Sequence, residues 1–161
     1  MTPIGCARAL ADFLQQHFDD IKYRPIDEKI ATNRLIVRDG FLPKVTSNEE
    51  KKKQDPYIVI RPVEITDTDE GSVVKLQLLM MTYSADMEKG HLDLYHMAEI
   101  VRQSVEQQTV IDGTYMLQLP VKTLIPEEQP WPEWWAYMEL SYTLGRPGAS
   151  INQYLTQQIG V

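Results

Sequence analysis

Three histidines, one carboxylate-rich loop and a cluster of tryptophans are the side chains of this 161-residue sequence that could do chemistry. His91 and His96 invite a metal reading. Five residues apart on a helix, however, they point about 140° away from each other, so that helix cannot aim both at one ion. His17 lies beside Gln15 and Gln16 on a polar face and reads as solvated. "DTDEG" at 67–71 has the alternating carboxylates of a calcium loop but lacks its other ligands and the distant bidentate glutamate, so a hairpin loop explains it. There is no G-x-S-x-G, no glycine-rich phosphate loop and no H-E-x-x-H. An enzyme would have to gather residues distant in sequence, with Glu127, Glu128 and His96 as its acid/base groups. The expectation is a domain that is not an enzyme and carries neither cofactor nor metal.

The tryptophans are more informative. Trp131, Trp134 and Trp135 all fall in the acidic, proline-interrupted stretch "EEQPWPEWW" at 127–135. Pro130 and Pro132 stiffen the approach to a strand. Consecutive residues of a strand face opposite ways, so Trp134 and Trp135 cannot enter the same core. One should pack inward. The other, with Trp131, Glu127 and Glu128, forms a candidate contact surface.

Composition narrows the partners. A formal charge of -7 argues against tight nucleic-acid binding, which rests on clustered Lys and Arg releasing counterions. The single cysteine, Cys6, excludes an internal disulfide and a cysteine-rich zinc site. No run reaches the roughly 18 apolar residues of a membrane span. The first residues, "MTPIGCARALADFLQQ", interrupt their apolar pattern with Arg8 and Asp12, unlike a signal peptide, so a cytoplasmic protein is expected. A hydrophobic content of 43% over this length predicts one domain, residues 1–161, with a core of its own.

The elements that must position these residues follow from periodicity. Thr2-Pro3 reads as an N-cap and first-turn proline, opening a helix that ends near Asp20. Its apolar stripe is Ala7, Leu10, Ala11, Leu14, Phe18 and Ile21. "RLIVR" is a short strand, and Asp39-Gly40 a turn. Residues 47–55 carry both charge signs and almost nothing to bury, which predicts a mobile loop; Glu49, Glu50, Lys51, Lys52 and Lys53 in it are candidate docking residues. "YIVIRPV" at 57–63 and "SVVKLQLLMMTYS" at 72–84 read as strands of a long-looped hairpin, with Pro62 at an edge or an ending. The far end of the second, with Leu79, Met81 and Tyr83, should be covered on both sides. Residues 90–108 form an amphipathic helix, Asp112-Gly113 turns the chain into "TYMLQLPVK", and 134–144 supplies the last strand. Residues 148–161 are a short helix or a tail. The order helix, strand, strand, helix, strand, strand predicts an α+β fold: a mainly antiparallel sheet of about four strands with two principal helices packed on it, plus a C-terminal tail.

Taken in series, "DPYIVIRPVE", "VKLQLLMMTYS", "AEIVRQSVEQQ" and "YMLQLPVKTLIPEEQPWPEWWAYMELSYTLGRP" resemble, in order and spacing, the tail terminator (tail completion) proteins of long-tailed bacteriophages and prophages. The resemblance spans about Val37 to Pro147. It implies a structural virion protein that forms a ring, typically a hexamer, on the finished tail tube, ends tube polymerisation and presents the surface that joins the head. The implied partners are further copies of itself, the tail tube protein and a head-completion or neck protein. The implied location is the host bacterial cytoplasm during assembly and then the head-proximal end of the virion tail. By family analogy the 47–55 segment orders on docking or faces the ring's lumen. Two other readings fit the residues: another neck or head-completion ring protein, and a small-ligand or carbohydrate-binding module that stacks sugars on its indoles.

Overall fold

The computed structural model describes residues 2–26, 33–42 and 47–144. Thr2 caps α1 (Pro3–Asp20), its hydroxyl accepting from the Gly5 amide at 2.9 Å. The expected stripe is buried from Ala7 to Phe18, with Cys6 joining it, while Ile21 falls at the C-cap and is exposed. Strand β1 (Ile36–Asp39) is followed by α2 (Asn48–Gln54), and then by β2 (Tyr57–Thr68) and β3 (Gly71–Tyr83). Next come α3 (His91–Gln107), β4 (Val110–Ile111), β5 (Tyr115–Leu124) and β6 (Glu133–Leu144).

The strands form one six-stranded sheet in the order β1-β2-β3-β6-β5-β4. Strands β1 and β2 pair in parallel and every other pair is antiparallel. This corrects the expected four-stranded antiparallel sheet with two helices: the fold is α+β, but the sheet is mixed, has six strands and comes with three helices. The two strands beyond the expected four are β1, read at "RLIVR" but not counted in the sheet, and β4; at four and two residues both are too short to show a period. A parallel partner also demands a crossover. That crossover contains α2, where the charge run at 47–55 predicted a mobile loop. Ser47 caps α2 by accepting from the Glu50 amide at 3.1 Å. Glu49 and Glu50 in the first turn and Lys51, Lys52 and Lys53 in the last complement the helix dipole.

The β2–β3 hairpin is longer than expected. Pairing continues past Pro62, through an irregularity between Pro62 and Glu64, to Thr68 opposite Gly71. A bulge lets the ladder survive a residue that has no N–H. "DTDEG" is the tip of this hairpin, where the Ser72 hydroxyl donates to Asp67. The tail expected over 148–161 lies outside the described residues.

One face of the sheet carries the core. Ile58, Ile60, Val74, Leu76, Leu78, Met80, Ala136, Met138, Leu140 and Tyr142 pack there against α1 and against Leu94, Met97, Val101 and Val105 of α3. Cys6 lies in this core, and burial pushes its thiol up to about 12, so it stays protonated and inert. Among the described residues no helix is long and apolar enough to cross a membrane.

Candidate functional site

The entry to β6 is organised by one side chain, Gln129. Its carboxamide nitrogen donates to the carbonyls of Pro126 (2.7 Å) and Trp135 (3.0 Å), and its oxygen accepts from the Trp135 amide at 2.6 Å. The side chain thus pairs with the start of β6 as a neighbouring strand would. Backbone bonds finish the turn: Trp131 donates to the Gln129 carbonyl (2.9 Å) and Glu133 to that of Pro130 (3.0 Å). The Ser84 amide donates to Pro132 O at 2.9 Å, which ties the turn to the end of β3.

The two consecutive indoles leave this turn on opposite faces. Trp134 points to the helix side, where its Nε1 donates to the Ser84 carbonyl at 2.9 Å and its ring covers Gly90, just before α3. A Cβ on residue 90 would come within 2.5 Å of the Asp86 carbonyl oxygen and 2.6 Å of that ring, so both the turn and the indole packed on it require glycine there. Trp135 points to the other face and stacks on Tyr137 at 5.6 Å between ring centres. Together with Arg61, Gln77, Leu79, Met81 and Pro130 these rings line a groove of about 580 Å³. Arg61 also sits over the ring of Phe41, 4.6 Å from its centre.

This face is where the structure departs most from the sequence reading. Leu79 and Met81, expected to be covered on both sides, are half-buried and line the groove, whereas Tyr83 at the end of the strand is buried. The α1 and α3 layer serves one face only, so the apolar side chains on the reverse of β3 and β6 keep an open side.

The other expected contact residues scatter. Glu127 and Glu128 are exposed on the turn, and Trp131 stands out at 50% exposure. Glu49, Glu50 and Lys53 are exposed on α2, while Lys51 and Lys52 are half-buried. Lys51 Nζ reaches Glu133 Oε1 at 3.7 Å, so α2 and the tryptophan turn meet. His96, proposed as an acid/base partner of Glu127, instead stacks on Tyr23 at 5.7 Å. The histidine that shares a groove with Glu127 is His91, beside Tyr95 and Trp134. Among the described residues no group of three or more His, Cys, Asp or Glu is placed to hold a metal.

Sequence reasoning missed Asp55 and Glu133, two carboxyls buried together beside Lys51. The available signal was an acid next to a proline at the head of an apolar strand, in "DPYIVI" and "PEWWAYM" alike. Their burial pushes the Asp55 carboxyl up, with the hydrogen bond and the charge of Glu133 adding to the rise and Lys51 opposing it. The Tyr57 phenol beside them is also held above its ordinary value, by burial and then by the charges of Glu133 and Asp55.

No protein-family profile matches the chain, and no curated protein matches it. Among solved structures the fold is similar to a chain of "Virion of native gene transfer agent (GTA) particle", with 14% identity and a TM-score of 0.49 over 90% of this chain and 99% of that one.

Proposed function

We propose that this chain is a structural virion protein of the tail terminator kind, which assembles as a ring on the end of a phage tail tube, stops its polymerisation and offers the surface that joins the head. The observation that carries the reading is the open face of the sheet. Trp135, Tyr137, Leu79 and Met81 form an aromatic and methionine-rich stripe of the composition that suits a protein contact, and among the described residues the helices leave it uncovered. The order and spacing of the segments around it, from "DPYIVIRPVE" to "PWPEWWAYMELSYTL", support the same reading through their resemblance to tail terminators.

In this account Trp135 with Trp131, Glu127 and Glu128 meets the tube or the next subunit, and Trp134 serves the fold. A rotation that closes makes a ring, and typically six copies would do so. The acidic surface suits a conduit for DNA, because carboxylates repel phosphate. No catalytic step is assigned. The protein would act in the host cytoplasm during assembly and remain at the head-proximal end of the tail. A tube pull-down against a portal pull-down separates this role from that of a neck protein.

The test combines light scattering over a concentration series with co-sedimentation on purified tail tubes. The expected result is a mass near six times 18.6 kDa, or recruitment of a monomeric pool to tube ends. A monomer at every concentration that ignores the tube overturns the proposal. One observation favours a second reading: stacked Trp135 and Tyr137 beside Arg61 and Gln77 also suit a sugar ring. Saturable quenching of tryptophan fluorescence by glycans would select it.

A further inference from the structure

Helix α2 buries none of its residues, so no apolar surface of its own holds it on the domain. Its attachments are polar. Asn33 Nδ2 donates to the carbonyls of Lys52 and Asp55, both at 2.8 Å. Lys51 reaches Glu133, and Asp55, the C-cap of the helix, turns its carboxyl in against the same glutamate. Asp55 is 0% exposed and Glu133 6% exposed.

Two buried carboxylates and one ammonium leave a net charge of minus one, which a low-dielectric site does not tolerate. With both acids ionised, Asp55 Oδ1, Asp55 Oδ2 and Glu133 Oε2 have no hydrogen-bond donor among the described residues. A single proton removes both difficulties at once: it neutralises the site and supplies the one donor the two acids can share. The groups facing the pair do not replace that proton. Lys51 on α2 is already counted, and neither Tyr57 on β2 nor Tyr83 on β3, opposite Glu133 in the ladder, gives a hydrogen bond to those three oxygens.

We propose that Asp55 and Glu133 form a proton-sharing latch that holds α2 on the sheet and loosens it as the proton is lost. The latch sits at the buried end of the outer face, next to the open groove, so releasing α2 would enlarge that face. This inference is independent of the tail-terminator reading. Burial and Glu133 push Asp55 up to about 9 in the docked state. Once α2 is released, Asp55 ionises in the ordinary aspartate range. Docking therefore takes up a proton between those two limits, is strongest at the acid end and weakens as pH rises, by up to about tenfold per pH unit, before levelling off above the docked value.

Trypsin reads this directly, because α2 carries Lys51, Lys52 and Lys53. Cleavage of the intact protein at these sites would be followed by mass spectrometry from pH 6.5 to pH 10 and normalised to an unstructured peptide of the same sequence. The expected rate rises by up to about tenfold per pH unit to about pH 9 and then flattens, while cleavage at Lys75 within β3 stays constant. Asp55→Asn and Glu133→Gln each install a permanent amide donor in place of the shared proton. Both should keep α2 protected and abolish the slope. A flat wild-type profile, which needs no variant to interpret, overturns the latch; so does a wild-type slope retained in whichever variant folds.

Discussion

The two faces of the same sheet have opposite fates. On one, Leu78, Met80, Ala136 and Met138 are fully buried beneath the helices. On the other, Leu79, Met81, Trp135 and Tyr137, one residue along in the same strands, stay half-buried around a groove. Alternation alone assigns the residues to faces. It does not say which faces will be covered, and the difference between them separates what stabilises this fold from what is free to bind.

The largest effect that would sharpen this contrast is in the adjacent leucines of β3. Leu78→Ala should cost about 2–5 kcal/mol in chemical denaturation, by lost transfer energy and a residual cavity. Leu79→Ala should cost about 1 kcal/mol or less, since its site already has an open side. Equal losses would erase the distinction between the faces. The tryptophans repeat the comparison in aromatic form. Trp134→Ala forfeits packing and the bond to the Ser84 carbonyl, about 2–4 kcal/mol. Trp135→Ala should lose about 1 kcal/mol, mainly its stacking on Tyr137, while abolishing recruitment to tail tubes.

Gly90→Ala comes next. Its methyl would collide with the Trp134 ring, and thermal unfolding should report a loss of about 1–3 kcal/mol. The same substitution in a Trp134→Ala background should keep part of its cost, because the ring is gone but the Asp86 carbonyl, 2.5 Å from the new Cβ, remains. Smallest of all, Trp131→Ala should change stability by no more than about 0.5 kcal/mol, as befits a ring that stands out from the turn. Unchanged tube binding in that variant would remove Trp131 from the contact while leaving Trp135 in it.

Much of the core face could be read from sequence because α1, α3, β3 and β6 are long enough to repeat their period several times. The divergence of Trp134 and Trp135 followed from their being neighbours at a strand start. The short strand read at "RLIVR" is β1, but its place in the sheet was not legible, and β4 was missed outright, since four and two residues carry no period and their pairing depends on partners elsewhere in the chain. The run at 47–55 misled for another reason: its charges were counted as solvation, although Ser47 and Glu50 already had capping spacing. The open groove was hidden because its residues look like ordinary core. Nor could local spacing join Asp55 to Glu133, which sit at the starts of β2 and β6 and meet only once β3 lies between those strands.

Co-sedimentation of wild type and Trp135→Ala with purified tail tubes, each protein first shown to be folded, asks whether the open face is the assembly surface. Wild type should pellet with tube ends and block their further growth, whereas Trp135→Ala should stay in the supernatant at nearly unchanged stability. Wild-type binding retained in full by Trp135→Ala, or a wild-type protein indifferent to tubes, would contradict it.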